Sequence, residues 1–240
     1  ESREDIDKAM RLGYGLKFGP FEMSSTLLSD NPVGYAKPLH SIAEDKSEVV
    51  LENTSAALKR SKEGKLVFSM KTKLNVLDES IFKLLIESVE YAENAKAQEL
   101  IIAPYGKHFS AGANLKIFLE FAESGNKNAV ENLLLLGQNA MMALKYSKVP
   151  VIACAKGAAL GGGSEILLAC NSVVSHLELS AGLVEVGVGL VPSWGGLKEV
   201  ILRSRGNHDE LLSGLKNIVS AHKSSSAYHF FEEFAIKDGH

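Results

Sequence analysis

Two glycine-rich loops constrain the fold of this 240-residue chain more than any other feature of its sequence. The first reads His108-Phe-Ser-Ala-Gly-Ala-Asn-Leu115 and the second reads Gly157-Ala-Ala-Leu-Gly-Gly-Gly-Ser-Glu165. Each loop follows an apolar strand pattern and enters a helical pattern. Small residues let backbone N–H groups approach a ligand closely, although glycine also serves simply to pack a helix against a strand. Strand and helix patterns alternate along the chain, which predicts the α/β class.

The predicted elements begin near Ser55 and follow one another closely. Ala56–Arg60 and Leu66–Met70 are predicted to be strands joined by a turn at residues 62–64, and Asp78 is predicted to cap a helix that runs to about Ala95. Apolar spacing predicts further strands at 99–103, 150–155 and 172–176, an extended segment at 181–185, helices at 115–122, 129–146, 164–170 and 196–202, and some helical spacing at 217–234.

The start of the chain has a different organisation. Residues 4–12 have helical spacing, so we interpret residues 1–30 as a short helical appendage, residues 31–54 as a linker, and residues 55–240 as the main domain. The stretch Gly13–Gly19 superficially resembles a dinucleotide-binding loop. Its spacing is G-x-G-x-x-x-G and it follows a helix rather than a strand, so we interpret it as a helix end and a turn.

Composition narrows the class of protein. A net charge of −3 argues against a nucleic-acid partner, and no apolar run approaches the roughly 20 residues of a membrane helix. The acidic N-terminus does not resemble a signal peptide. Cys154 and Cys170 lie in apolar stretches, which predicts buried free thiols and a cytoplasmic location. The seven histidines lack paired metal-ligand spacing, so we expect no metal site.

Two glutamates are candidates for proton transfer. Glu165 lies in the first turn of an otherwise apolar helix, and Glu185 is the sole charge between Leu179 and Trp194. An alternative interpretation of Glu165 is a carboxylate that the helix dipole stabilises at the start of the helix. For Glu185 the alternative is an exposed position at the end of a strand. A pair of such glutamates could hold a water molecule, with one acting as general base and the other delivering a proton to carbon.

The two loops also suggest a site for a developing negative charge. Unpaired N–H donors at the start of a helix stabilise an oxygen atom that gains negative charge. Two loops together could therefore form an oxyanion hole. Other assignments fit less well. The segment Gly162–Ile166 lacks the final glycine of a nucleophile elbow, and neither loop ends in the Gly-Lys-Ser/Thr of a phosphate-binding loop.

Three motifs in order resemble those of the enoyl-CoA hydratase/isomerase (crotonase) superfamily. They are Phe109-Ser-Ala-Gly-Ala-Asn-Leu115, Gly157-Ala-Ala-Leu-Gly-Gly-Gly-Ser-Glu165 and Val184-Glu-Val-Gly-Val-Gly-Leu-Val-Pro192, and Lys73-Leu-Asn-Val-Leu77 is similar to a turn of the same family. The likeness spans about Ser55 to Arg203. It implies a crotonase-type ββα superhelix, related to ClpP, with an acyl-CoA thioester as substrate.

The resemblance also implies roles for particular residues. Glu165 and Glu185 match the two glutamates of the hydratases, which implies syn hydration of a trans-2-enoyl-CoA in fatty-acid β-oxidation. The backbone N–H groups of Ala113 and Gly162 match the oxyanion hole. No cofactor is implied beyond the coenzyme A of the substrate, and a trimer or hexamer is implied. The residues that match CoA and substrate contacts are Lys73, Leu74, Ala111, Asn114, Leu115 and Gly161.

The start of the chain has a resemblance of its own. Residues 5–22 resemble the C-terminal domain of 3-hydroxyacyl-CoA dehydrogenases, which implies the hydratase part of a bifunctional protein. The main domain departs from the family pattern at Asn114, at Val184 and at Ser193-Trp194, whose indole could narrow the acyl pocket, and its helical C-terminal region is short. An enoyl-CoA isomerase and a non-catalytic truncated subunit remain alternatives.

Overall fold

A six-stranded mixed sheet in the order β1-β2-β3-β4-β5-β7 forms the centre of the protein. The structure, a computed structural model, describes residues 48–234 and 236 together with residues 2, 4, 5, 7 and 8. A second sheet contains β6 and β8. The strands are β1 (Glu48–Glu52), β2 (Ala56–Arg60), β3 (Leu66–Met70), β4 (Leu100–Ile102), β5 (Val151–Ala155), β6 (Ala158–Leu160), β7 (Ser172–Ser175) and β8 (Ser180–Gly182).

Seven α-helices lie between residues 48 and 234, and two short 3₁₀ helices lie beside the loops. The α-helices are α1 (Glu79–Asn94), α2 (Leu115–Glu123), α3 (Lys127–Lys145), α4 (Gly162–Ala169), α5 (Gly196–Ser204), α6 (His208–Val219) and α7 (Ala227–Glu233). The 3₁₀ helices are Lys73–Asn75 and Glu185–Val188. Among the described residues, no helix combines the length and the apolar character that crossing a membrane requires.

The register of the main sheet places its largest apolar side chains on one face. Leu58 pairs with Phe68 across an antiparallel ladder, and Phe68, Ile102 and Ala153 continue the row across parallel ladders. All four residues are at most 1% exposed and belong to the main core. Because β4 and β5 are parallel, the loops that follow them leave the same edge of the sheet. The two glycine-rich loops are therefore brought together by topology.

Most predicted elements are confirmed within a few residues, and three differ. Residues 48–52 form β1 and pair with β2, so the predicted linker 31–54 does not hold over these residues. The segment Val49-Val50-Leu51 is rich in residues that favour strands. Residues 158–160 of the predicted second loop form β6. The helical spacing at 217–234 covers only the end of α6, which begins at His208, and the whole of α7. Ala221, between the two helices, adopts the left-handed region (φ 50°).

The start of the chain is described at only five positions. Residues 4, 5, 7 and 8 are helical, and the Ser2 hydroxyl donates to the Asp5 carboxylate at 2.7 Å. The rest of the predicted helix 4–12 and the glycine stretch 13–19 lie outside the described residues. The chain divides into two units at residues 38 and 39, whereas the sequence placed the linker at 31–54. The appendage itself stays a prediction.

The C-terminal segment packs on the second sheet. The backbone N–H of Ser224 donates to the Ala181 carbonyl at 2.8 Å, and the Ser224 hydroxyl accepts from the Ala181 N–H at 3.0 Å. A Cβ on Gly182 would lie 2.2 Å from the His222 carbonyl oxygen, so only glycine fits there. Phe230 of α7 is fully buried in the core. Strand β8, which leads directly into the segment of Glu185, is thus held by residues more than forty positions later.

Asp78 is the N-cap of α1, as the sequence predicted, and its removal should weaken the fold. One carboxylate oxygen accepts from the Ile81 N–H at 2.9 Å and the other from the Ser55 hydroxyl at 2.7 Å. We expect Asp78→Ala to lower the free energy of unfolding by about 1–2 kcal/mol, measured by urea denaturation. Glu79→Ala, in the same turn but exposed, should cost clearly less. Equal losses would contradict this role of the cap.

Candidate active site

Ser110 joins the two glycine-rich loops. Its backbone N–H donates to the Ala158 carbonyl at 3.0 Å, and its carbonyl accepts from the Leu160 N–H at 2.9 Å. Its fully buried hydroxyl donates to the Asn75 carbonyl at 2.6 Å and accepts from the Gly112 N–H at 3.1 Å. Both hydrogen-bonding capacities of the hydroxyl are used inside the protein, so Ser110 has a structural role and fixes the two loops side by side.

A turn with unusual backbone angles supports the first loop from the opposite side. Leu74 and Asn75 both adopt the left-handed region, at φ 56° and 53°. The buried Asn75 side chain offsets this strain by donating to the carbonyls of Tyr105 (3.0 Å) and His108 (2.9 Å). The Ala111 N–H donates to the Leu74 carbonyl at 3.0 Å. The turn therefore anchors the loop that carries one predicted donor.

The two predicted oxyanion donors are free to bind a ligand. Within residues 48–234, no acceptor lies in hydrogen-bond geometry with the backbone N–H of Ala113 or of Gly162. Gly162 is the first residue of α4, where N–H groups lack a helical partner. A Cβ on Gly112 would lie 3.6 Å from the Gly162 nitrogen and 2.6 Å from the Leu160 oxygen. The loops thus approach each other closely, and a larger residue than glycine does not fit at 112.

A cavity of about 420 Å³ lies over these donors. Both donor residues and both candidate glutamates line it. Most of the remaining wall is apolar and includes Phe118 and Leu134. Of the residues predicted to contact CoA or substrate, the lining includes Ala111, Leu115 and Gly161, whereas Lys73, Leu74 and Asn114 lie outside it. Lys73 and Leu74 are exposed, and the Leu74 carbonyl accepts from the Ala111 N–H, so their contact with CoA stays a prediction.

Glu165 is a buried carboxylate held by backbone donors. It is 2% exposed, and its Oε1 accepts from the N–H groups of Trp194 (2.9 Å) and Gly196 (2.7 Å). Burial raises its pKa to about 7, although the N–H groups of Gly196, Trp194 and Gly195 oppose this shift. Oε2 accepts no hydrogen bond from the described residues. The carboxylate is therefore fixed in orientation and has one oxygen left for a ligand.

Glu185 is a carboxylate without a partner. It begins the second 3₁₀ helix, and both carboxylate oxygens are buried with no hydrogen-bond partner on another described residue. Burial, and then the negative charge of Glu165, raise its pKa to about 7. A Cβ on Gly161 would lie 3.1 Å from Glu185 Oε1. A buried acceptor without a donor is costly for stability, and such groups are typical of sites that bind a ligand.

Together the two carboxylates form a pair suited to general acid–base chemistry. The pKa values of both carboxylates lie near neutrality because both are buried, and the negative charge of Glu165 further raises the pKa of Glu185. At neutral pH the pair can present one base and one acid to the same cavity. Within the residues that the structure describes, no group of three or more His, Cys, Asp or Glu side chains could hold a metal ion.

Several residues that build the site were not predicted from sequence. Asn75 lies in the turn motif already quoted, but its role as an anchor depends on contacts thirty or more positions away. Ser164 is buried in the second motif, donates to the Ala159 carbonyl at 2.6 Å and accepts from the Gly182 N–H at 2.8 Å. For Ser164, the signal in the sequence was a polar residue inside a glycine-rich motif, which would have indicated a structural role. The backbone donors to Glu165 had no sequence signal.

The comparison with family models identifies the class of protein. Residues 63–208, more than half of the chain, match the enoyl-CoA hydratase/isomerase model, so the chain belongs to the enoyl-CoA hydratase/isomerase family. Its fold is the crotonase fold, as predicted. The crystal structure of an enoyl-CoA hydratase from Polaromonas sp. JS666 superposes with a TM-score of 0.64 and 26% identity, covering 73% of this chain and 67% of that one.

Curated relatives extend the likeness along nearly the whole chain. A Rickettsia felis protein named as a fatty acid oxidation complex trifunctional enzyme is 41% identical over 98% of this chain. A Bacillus subtilis protein named as a 3-hydroxyacyl-CoA dehydrogenase is 28% identical over 97% of it. This chain spans only 36% of the length of each of these two relatives. Their additional activities belong to those longer proteins.

Removal of the Asn75 side chain should loosen the first loop. Asn75→Ala leaves two partly buried carbonyls without their donor and places alanine at a strained φ, so we expect the free energy of unfolding to fall by about 2–3 kcal/mol. Chemical denaturation measures this change. Asn94→Ala, at an exposed position near the end of α1, is the control and should have little effect. Similar losses for both variants would contradict the anchoring role.

Stability should depend on pH through Glu165. Its pKa is about 4.5 without the folded environment and about 7 in the fold, so between these values the folded state binds more protons than the unfolded chain. The free energy of unfolding therefore falls as pH rises through this window. We expect Glu165→Gln to be more stable than the wild type at pH 8, by up to about 3 kcal/mol, and nearly equal at pH 4.5.

Urea denaturation at both pH values provides this measurement. Glu87→Gln, an exposed position on α1, is the matched control and should leave the pH dependence as it is. A Glu165→Gln variant with the same pH dependence as the wild type would show that burial does not raise the Glu165 pKa.

Proposed function

We propose that this protein hydrates trans-2-enoyl-CoA thioesters to 3-hydroxyacyl-CoA in fatty-acid β-oxidation. The observation that supports this proposal is one cavity that two carboxylates and two unpartnered N–H groups line together. Membership in the enoyl-CoA hydratase/isomerase family agrees with an acyl-CoA substrate. The hydratase reaction needs an acid and a base at once, and the pair Glu165 and Glu185 can supply both near neutral pH.

The proposed reaction begins with the thioester oxygen on the N–H groups of Ala113 and Gly162. The ionised Glu165 takes a proton from water, and the resulting oxygen nucleophile forms a bond to C3. The C2=C3 electron pair moves toward the thioester, and the negative charge develops on the oxygen between the two donors. Protonated Glu185 then gives its proton to C2. Because both carboxylates line one cavity, addition of oxygen and hydrogen to the same face is favoured.

Most of the acceleration would come from groups that are already in position. Ala113 and Gly162 line the cavity, and their N–H groups have no acceptor within residues 48–234, so they would be available when the substrate binds. Removal of one such donor typically lowers the rate by about 100-fold to 1000-fold. Glu165 cannot rotate freely because two backbone N–H groups hold its Oε1. The enzyme therefore pays little reorganisation energy when charge develops.

A second candidate reaction is isomerisation of a 3-enoyl-CoA to a 2-enoyl-CoA. The specific observation in its favour is that Glu185 has no hydrogen-bond partner, whereas Glu165 is tied to two backbone donors. A single mobile carboxylate suffices to move a proton from C2 to C4. In that reaction Glu165 would have no chemical task.

We also propose a setting for this activity. The relatives that align with nearly all of this chain carry names of fatty-acid oxidation and dehydrogenase proteins, which supports a hydratase part within a longer bifunctional protein. Residues 1–30 would then belong to a dehydrogenase C-terminal domain. A cytoplasmic location and a homo-oligomer, trimer or hexamer, are further parts of this proposal. The two buried free cysteines favour the location, and the family resemblance favours the oligomer. The proposed substrate brings its own coenzyme A, and the reaction uses no other cofactor.

Substitution of each glutamate separates the two candidate reactions. We expect Glu165→Gln and Glu185→Gln each to lower kcat for crotonyl-CoA hydration by about 100-fold to 10,000-fold, because each removes one proton-transfer group. The measurement is loss of absorbance of the enoyl thioester. Circular dichroism and binding of acetoacetyl-CoA confirm that each variant folds and still binds CoA esters. Glu87→Gln, at an exposed position, is the matched control with unchanged activity.

A 3-enoyl-CoA substrate tests the isomerase candidate with the same proteins. If Glu165→Gln converts 3-enoyl-CoA at the wild-type rate while Glu185→Gln does not, the protein is an isomerase. Undiminished hydration of crotonyl-CoA by Glu165→Gln would overturn the hydratase proposal. A wild type that binds no acetoacetyl-CoA would support a non-catalytic subunit.

A further inference from the structure

Trp194 occupies an unusual position beside the reacting groups. Its backbone N–H donates to Glu165, while its indole is 4% exposed and lines the same cavity. The ring packs edge-to-face on Phe82, with centroids 4.7 Å apart and planes at 74°, and it lies 6.4 Å from the Phe118 ring. One residue thus both holds the candidate base and forms part of the wall that an acyl chain would meet.

Two glycines from different elements form the slot that holds the indole. A Cβ on Gly137, in the middle of α3, would lie 2.4 Å from both Cδ1 and Nε1 of Trp194. A Cβ on Gly162 would lie 2.3 Å from Cζ3 at the opposite edge of the ring. Neither distance permits a side chain, so the indole fills the space between α3 and the start of α4. The ring is therefore bounded by backbone at both of its edges.

We propose that Trp194 limits the length of the acyl chain and restricts this protein to short-chain acyl-CoA thioesters. This inference rests on the proposed function. The indole contacts Gly162, whose N–H would hold the thioester oxygen, and its backbone holds Glu165, so the ring stands next to the first carbons of the acyl chain. The cavity of about 420 Å³ must also hold the thioester and the attacking water. A chain that extends further meets the indole.

Truncation of the indole should open this end of the cavity. Trp194→Ala retains the backbone N–H that positions Glu165, and it leaves the volume of the ring continuous with the cavity that the ring now lines. A chain that previously met the indole could then enter the vacated slot. If the indole had only a core-packing role, the variant would lose stability but would treat all chain lengths alike.

Chain-length preference of the full chain tests this proposal. The substrates are the trans-2-enoyl-CoA esters of four, six and ten carbons, and the readout is the ratio of kcat/KM for ten carbons to that for four. We expect the wild type to favour four carbons by tenfold or more, because each methylene that does not fit changes kcat/KM by roughly 10-fold or more. Trp194→Ala should raise the ratio at least tenfold, and Trp194→Phe should give an intermediate value.

Two further variants distinguish a role of the indole as a wall of the cavity from a general loss of core packing. Gly137→Ala forces the indole out of its present position and should therefore change the ten-to-four ratio. In the Trp194→Ala background the same substitution should leave the ratio unchanged, since the indole that it contacts is gone. Leu133→Ala truncates a buried residue of α3 that does not line the cavity. It should lower the melting temperature without changing the ratio.

The outcomes distinguish this proposal from the proposed function. Hydration of all three chain lengths with equal kcat/KM, or an unchanged ratio in a folded Trp194→Ala, would overturn the chain-length limit and leave the hydratase intact. If the wild type hydrates no enoyl-CoA, the hydratase proposal fails, and titration with saturated butyryl-CoA and decanoyl-CoA tests the limit instead. Trp194→Ala must then gain affinity for decanoyl-CoA relative to butyryl-CoA, and an unchanged relative affinity would refute the limit.

Discussion

The hydrogen bonds of Ser110 are the constraint on which the site depends. Parallel strands bring two loops to one edge of the sheet, but the backbone bonds from Ser110 to Ala158 and Leu160 fix the distance between them. Gly112 then allows contact without a side chain in the way. Ala113 and Gly162, which are far apart in sequence, come to line one cavity with N–H groups that have no acceptor within residues 48–234. An oxyanion hole of this kind is a property of two loops together, and neither loop contains it alone.

The same arrangement carries an energetic cost that the rest of the fold must offset. Glu165 and Glu185 are buried next to each other, and their raised pKa values report that ionisation of both is unfavourable in the fold. The large apolar core of the main sheet supplies the opposing stability. Burial of these two carboxylates therefore lowers stability while it keeps them available to a ligand, a trade-off that is common at binding sites.

Local patterns predicted much of the fold because local physics determines those parts. The Asp78 cap and the strand pairs around Phe68 depend on spacing and on capping chemistry that a single segment displays. The site was predicted by resemblance in three motifs, whereas its supports were not. Asn75 acts through partners thirty or more positions away, and the slot around Trp194 requires Gly137 from another helix. Contacts of this kind are not visible in any one window of sequence.

The packing of the C-terminal segment on β8 sets an order of events during synthesis. Chains grow from the N-terminus, so the sheet, both loops and Glu165 emerge from the ribosome well before the residues from His222 to Phe230. Strand β8 lacks its hydrogen bonds to Ser224 until that late segment arrives. The segment of Glu185 therefore reaches its final position only after residues 222–230 have been made. Until then, a growing chain has Ala113, Gly162 and Glu165 in place but does not yet hold Glu185 at the wall of the same cavity.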